Sequence, residues 1–140
     1  MEGVDHLNVA VDDLAVCYPF YRDTLGLTVD RPPADFHGEH AMFSVGDTTF
    51  TLVESGRADG WTAADLDHPL DKAHVAFETD RDRYETLVDR LDDQFPKQGP
   101  YDWGETEGFY FLDPDGNLLE VVTREPPTDT ERTLLTHDDV

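Results

Sequence analysis

The sequence predicts an α+β fold made of one strand–helix–strands module written twice. Three observations carry that prediction. Residues 109–122, Phe-Tyr-Phe-Leu-Asp-Pro-Asp-Gly-Asn-Leu-Leu-Glu-Val-Val, place two apolar runs around turn chemistry, in which Pro fixes φ, Gly supplies positive φ and Asp and Asn bond locally. A second run of the same character, Phe43 to Glu54, echoes it. Finally, His6 and His74 each lead a short alternating strand closed by an Asp able to cap a helix, and they lie 68 residues apart (74 − 6), close to half of the 140-residue chain.

The first module spans residues 1–56. Val4 to Val11 alternates as a strand, with His6, Asn8 and Ala10 on one face and Leu7, Val9 and Val11 on the other. Asp12 or Asp13 can cap the helix that covers the second face. Its apolar stripe is Phe20, Tyr21, Thr24 and Leu25, ending at Gly26. Pro19 falls inside this span, so the helix is expected to kink or begin late. Residues 30–40 read as a loop, with Pro32, Pro33 and two surface histidines, His37 and His40.

Residues 57–71 are the expected linker, and its Trp61 is expected to pack over a cavity or against a partner subunit. The second module spans 72–125. Its helix is the clearest element in the chain: Asp80 caps it, Tyr84, Leu87, Val88, Leu91 and Phe95 form its stripe, and Pro96 ends it. A loop from Pro100 to Gly108 carries Tyr101 and Trp103, a candidate lid or wall. In the closing strand, Leu118, Glu120 and Val122 share a face. A mid-strand carboxylate needs a partner, either a cation or a bound metal. Residues 126–140 form a polar tail, with one short amphipathic stretch at 132–135, expected to be partly disordered or draped on the surface.

Composition bounds the function. Acidic residues number 32 against 10 basic ones, for a net charge of −22, which disfavours nucleic acid and anionic membranes as partners. At 38% hydrophobic residues the chain is expected to fold rather than to be an acidic disordered segment. A halophilic cytoplasmic protein accounts for the charge, because in molar salt the Debye length falls to about 3 Å. A single cysteine, Cys17, excludes an internal disulfide.

Over residues 4–123 the chain resembles the vicinal oxygen chelate superfamily, which includes glyoxalase I, extradiol dioxygenases, fosfomycin-resistance thiol transferases and bleomycin-binding proteins. The matching stretches are 6–11, 20–27, 74–77 and 109–120. The resemblance implies paired βαβββ modules forming a curved mixed sheet around a central cavity. There His6, His74 and Glu120 would converge as metal ligands, an N/O set suited to one divalent ion such as Zn, Mn, Fe or Ni. Family spacing puts Thr51 at the position of a fourth ligand, and strand parity turns Glu54 to the opposite face. Tyr110, ten residues before Glu120, matches a site tyrosine of the fosfomycin enzymes and the dioxygenases, and Lys97-Gln98 loosely matches a lysine of the former.

The expected function is that of a metal-dependent, glyoxalase-family enzyme acting by Lewis-acid catalysis on a small oxygenated molecule, through lyase, isomerase or thiol-transferase chemistry. Tyr110 is the candidate catalytic residue, and Asn8, Thr51, Trp61 and Trp103 are the candidate substrate contacts. The alternative is a non-enzymatic, bleomycin-resistance-like dimer that sequesters a cationic aromatic drug. An extradiol dioxygenase ranks lower, because no additional histidine lies between His74 and His137. A homodimer is expected in either case.

Overall fold

A computed structural model describes residues 1–91, 95–127 and 135–136. The chain divides into two compact units: residues 1–60 with 114–117, and residues 61–113 with 118–140. Each unit holds one βαβββ module and one sheet. In the first, β1 (His6–Val11), β2 (Thr28–Arg31), β3 (His40–Val45) and β4 (Thr48–Glu54) take the order β1-β4-β3-β2. In the second, β5 (Val75–Glu78), β6 (Lys97–Asp102), β7 (Glu107–Leu112) and β8 (Leu118–Thr123) take the equivalent order β5-β8-β7-β6. The opening strand of each module pairs parallel with its last, and the other pairings within the modules are antiparallel. The fold is therefore α+β and duplicated, as the spacing of the two histidine-led strands predicts.

In the first unit α1 (Leu14–Pro19) runs into a wider turn over Phe20–Thr24, where the Leu25 amide reaches back to the Phe20 carbonyl. Pro19 is thus accommodated by a change of helical pitch rather than by a late start. Leu14, Cys17, Phe20 and Tyr21 of this segment are buried, and the Tyr21 ring packs against Phe43 and Phe50 of the sheet. The capping expectation needs correction, because Asp13 makes no side-chain cap bond. Asp115 Oδ2 instead accepts from the amides of Asp12 and Asp13 at 2.7 and 3.0 Å, and Glu54 Oε2 accepts from the Leu14 amide at 2.9 Å. Two carboxylates brought in from elsewhere outcompete the local one at the positive end of the helix. Nor do the turn residues bond only locally: buried Asn117 donates to the Ala10 carbonyl at 2.8 Å and accepts from the Asp59 amide at 3.1 Å.

The span expected to be a loop at 30–40 includes the end of β2 and a 3₁₀ turn over Pro33–Phe36. Likewise the linker holds 3₁₀ turns at Ala63–Asp67 and Pro69–Asp71, the first closed by a reciprocal Thr62–Asp65 capping box.

In the second unit α2 (Arg81–Arg90) starts where expected, with the Asp80 carboxylate accepting from the Arg83 amide at 2.8 Å. Tyr84, Leu87 and Val88 bury against the face of the sheet that carries Phe109 and Phe111, with Tyr84 edge-on to Phe109. Buried Arg81 ties helix to sheet by donating to Glu107 at 3.1 Å, to Glu85 at 3.0 Å and to the Glu125 carbonyl at 2.7 Å. The polar tail contributes a short strand, β9 (Leu135–Thr136), paired parallel with β6. The amphipathic stretch at 132–134 and the rest of the tail from 137 lie outside the described residues. Among the described residues no helix is long and apolar enough to cross a membrane.

Candidate functional site

The register of the second sheet assigns its two faces. Gln98, Tyr110, Glu120 and Ala76 stand opposite one another across β6, β7, β8 and β5. Since a strand alternates its side chains, Phe109, Phe111, Leu119 and Val121 turn toward α2, and Tyr110, Glu120 and His74 turn the other way. Glu120 is buried at 6% exposure, and its partner is His74, with Nε2 3.3 Å from Oε1.

The other nitrogen of His74 decides what this contact is. Nδ1 lies 3.0 Å from the Lys72 carbonyl oxygen. A carbonyl only accepts, so Nδ1 carries a proton. In the neutral imidazole Nε2 then presents a lone pair to a carboxylate oxygen, an arrangement that requires a cation between them. A second proton on the ring is one solution, and the hydrogen bond to Glu120 accordingly holds the imidazolium to higher pH than is ordinary for histidine. A metal ion is the other, with the Lys72 carbonyl orienting the ring from behind as ligand histidines are commonly oriented.

Two neighbours shape the carboxylate. Tyr110, directly across the ladder, is hydrogen-bonded to Glu120; burial first and the Glu120 charge second push its hydroxyl well above the ordinary phenol range. Tyr110 therefore stays protonated and acts as a donor. Gly108 makes room: a Cβ there would lie 2.5 Å from Glu120 Oε2. The sequence places Gly108 at the end of a loop from Pro100, whereas it lies inside β7, and Pro100 to Asp102 belong to β6; a glycine inside a strand is a sign of close approach.

An aromatic group adjoins this trio. The His74 ring is edge-on to Tyr110 at 5.2 Å, Trp103 is edge-on to Tyr110 at 6.4 Å, and Trp103 stacks on Tyr101 at 4.9 Å. Trp61 and Trp103, both partly buried, pack against the cluster of Leu66, Tyr101, Tyr110, Leu112 and Leu118. Lys97 behaves differently from its loose family match. Its register partner is Phe111, and its ammonium lies 3.4 Å from the Val88 carbonyl and over the Phe109 ring, so it belongs to the face that packs on α2.

The remaining candidates lie in the first unit. His6, Asn8, Thr49 and Thr51 share a face, with His6 paired to Thr49 and Asn8 to Thr51. His6 is exposed, and its Nδ1 lies 2.9 Å from the Asp5 carboxylate. An acceptor therefore engages Nδ1 here too, which leaves Nε2 as the nitrogen able to bind a metal. Glu54, three residues beyond Thr51, is committed to the amide of Leu14. His37 sits in a left-handed turn at φ 56°, and His40 stacks on Phe36. Among the described residues no cluster of three or more His, Cys, Asp or Glu is assembled for a metal.

A model of the glyoxalase/bleomycin resistance protein/dioxygenase superfamily matches residues 3–121. The chain belongs to that superfamily. Among curated proteins it is similar to the glutathione transferase FosA of Serratia marcescens, with 29% identity over 86% of this chain and 80% of that protein. Among solved structures it resembles a glyoxalase/dioxygenase from Nostoc punctiforme at a TM-score of 0.70, with 22% identity over 89% of this chain and 92% of that one. Lactoylglutathione lyase from Agrobacterium tumefaciens gives a TM-score of 0.63 and 24% identity over 88% and 94% of the two chains. These superfamily structures share the fold of the present chain.

Proposed function

We propose that this superfamily member is a metal-dependent enzyme in which His74, Glu120 and His6 hold one divalent ion, Zn, Mn, Fe or Ni, for chemistry on a small oxygenated molecule. The observation that carries the reading is the His74–Glu120 contact, in which Nε2 faces a buried carboxylate oxygen at 3.3 Å while the opposite ring nitrogen is occupied by the Lys72 carbonyl. His6 enters as the third ligand on its duplicated position and its Asp5-oriented imidazole. When bound, such an ion supplies Lewis acidity toward adjacent substrate oxygens and toward enolate or alkoxide charge.

The chain's own residues supply the rest. Tyr110 holds its proton on Oη and fixes the Glu120 carboxylate by donating to it, which leaves its oxygen able to accept a hydrogen bond from a substrate. Trp61 and Trp103 limit water around that position, and Asn8 and Thr51 add polar contacts from the first unit. Of lyase, isomerase and thiol-transferase chemistry, similarity to a glutathione transferase makes thiol transfer the first to assay. A homodimer belongs to the proposal: β1 is an edge strand of its sheet, and Leu7 within it and Val4 just before it are exposed. Sedimentation in high salt showing monomer alone would remove that part.

Elemental analysis after reconstitution with Mn, Ni and Zn tests the centre. One ion per chain is expected in the parent protein, with loss in His74→Ala, Glu120→Ala and His6→Ala and retention in Glu54→Gln. Parent protein that takes up none of the three metals would overturn the enzyme reading. The aromatic cluster around Trp103 would then favour the non-enzymatic drug-binding alternative.

A further inference from the structure

The row of side chains across the second sheet also bears on what the site accepts. Gln98 stands directly opposite Tyr110, half-buried, and its carboxamide makes no hydrogen bond among the described residues. Lys97, one residue earlier, faces α2. Lys72 donates to Asp71 at 2.7 Å and to the His68 carbonyl at 2.9 Å while lying over the Trp61 ring, so its charge is already matched. Arg124 continues the row of Glu120, but about 13 Å further along at the rise of a strand, and it is bridged to Glu78 at 3.2 Å and Glu105 at 3.9 Å. The surroundings of His74, Tyr110 and Glu120 in this unit therefore offer a neutral amide and flat rings. Among the described residues they offer no uncommitted cation. The Trp61 indole N–H, buried without an acceptor, adds a neutral donor.

We infer that the substrate portion beyond its chelating oxygens is uncharged and aromatic, held against Trp103 and hydrogen-bonded by Gln98, and is not a phosphonate or similar dianion. This rests on the metal reading above. With part of the ion's charge already offset by Glu120, a dianion would find no second cation among the described residues of this unit to match it, whereas a flat ring would extend the existing Tyr101–Trp103 stack.

Three probes separate these outcomes on the Mn-loaded full chain. Benzohydroxamate and acetohydroxamate chelate through the same adjacent oxygens and differ in the ring, while methylphosphonate carries the dianion. Water-proton relaxation reports access to Mn. Intrinsic fluorescence reports on the rings, since Trp61 and Trp103 are the two tryptophans of the chain. Benzohydroxamate is expected to bind at least about tenfold tighter than acetohydroxamate and to quench fluorescence. Trp103→Ala should erase most of that advantage, and Trp103→Phe, which keeps a ring in place, should retain most of it. Gln98→Lys should raise methylphosphonate affinity from a weak starting value.

Equal affinities for the two hydroxamates, or methylphosphonate as the tightest ligand of the parent protein, would overturn the inference and leave the metal centre standing. Failure of acetohydroxamate to displace Mn-bound water, or failure of the chain to load any of Mn, Ni and Zn, would overturn both.

Discussion

Replacing Gly108 by alanine adds one methyl group and tests whether Glu120 is held where the site needs it. The new Cβ would lie 2.5 Å from Glu120 Oε2, 2.9 Å from Val122 Cγ1 and 3.3 Å from the Val121 carbonyl oxygen. Backbone at Val121 cannot give way, so the carboxylate must retreat by about 1 Å to reach ordinary contact. That movement exceeds the tolerance of about 0.2 Å on a metal–oxygen bond and breaks the His74 contact at 3.3 Å. Overpacking a dense site of this kind costs about 1–3 kcal/mol of stability. Displacing a ligand, rather than deleting it, should lower metal affinity about 10–100-fold. Urea unfolding of the metal-free protein gives the first number, and competition against a chromophoric chelator gives the second. Gly108→Ala that keeps parental metal affinity would refute the reasoning, because the carboxylate would then not be the ligand.

Three further outcomes follow from the same contacts. Arg81→Leu should cost about 3–5 kcal/mol, because it leaves Glu107 buried without its cation; Glu107→Gln in that background should recover part of the loss in urea unfolding, and no recovery would discount the pair. Asp115→Ala should cost about 1–2 kcal/mol, since Asp115 caps α1 through the Asp12 and Asp13 amides. Although burial opposes it, the Cys17 thiol and those amides hold this carboxyl below the ordinary range. Its contribution is therefore complete above the unfolded value of about 3.9 and is lost as pH falls through the lower folded value, so stability between pH 5 and pH 3 should fall less steeply in the variant. With a net charge of −22, the midpoint of thermal unfolding should rise by a few degrees from dilute buffer to molar KCl; an unchanged midpoint would remove the halophilic account.

What could be read from the sequence was what depends on neighbours in the chain. Period-two alternation fixes which residues of β8 share a face, and so marks Glu120 as a carboxylate in need of a partner. Asp80 and the stripe of α2 are local for the same reason, and the helix begins where they say. Features that join distant segments were not legible. The caps of α1 come from Glu54, 40 residues away, and from Asp115, 102 residues beyond Asp13. No window around Asp13 contains that information, and a local Asp at a helix start is an equally good candidate on propensity alone.

The facing of Lys97 is a case of the same kind with a larger consequence. From sequence, Lys97 and Gln98 are adjacent and either could serve the site. The choice depends on the pairing of β6 with β7, in which Lys97 meets Phe111, Gln98 meets Tyr110, and the register shifts between Gln98 and Tyr101. A slip of one residue would reverse both side chains, bringing a cation beside Glu120 and sending the amide to α2. In the observed register the Lys97 ammonium lies over Phe109 and at the Val88 carbonyl, where a cation suits the negative end of α2. One step of strand register thus separates a site suited to an anion from one suited to a neutral ring, although the ligand candidates His74 and Glu120 are the same in both.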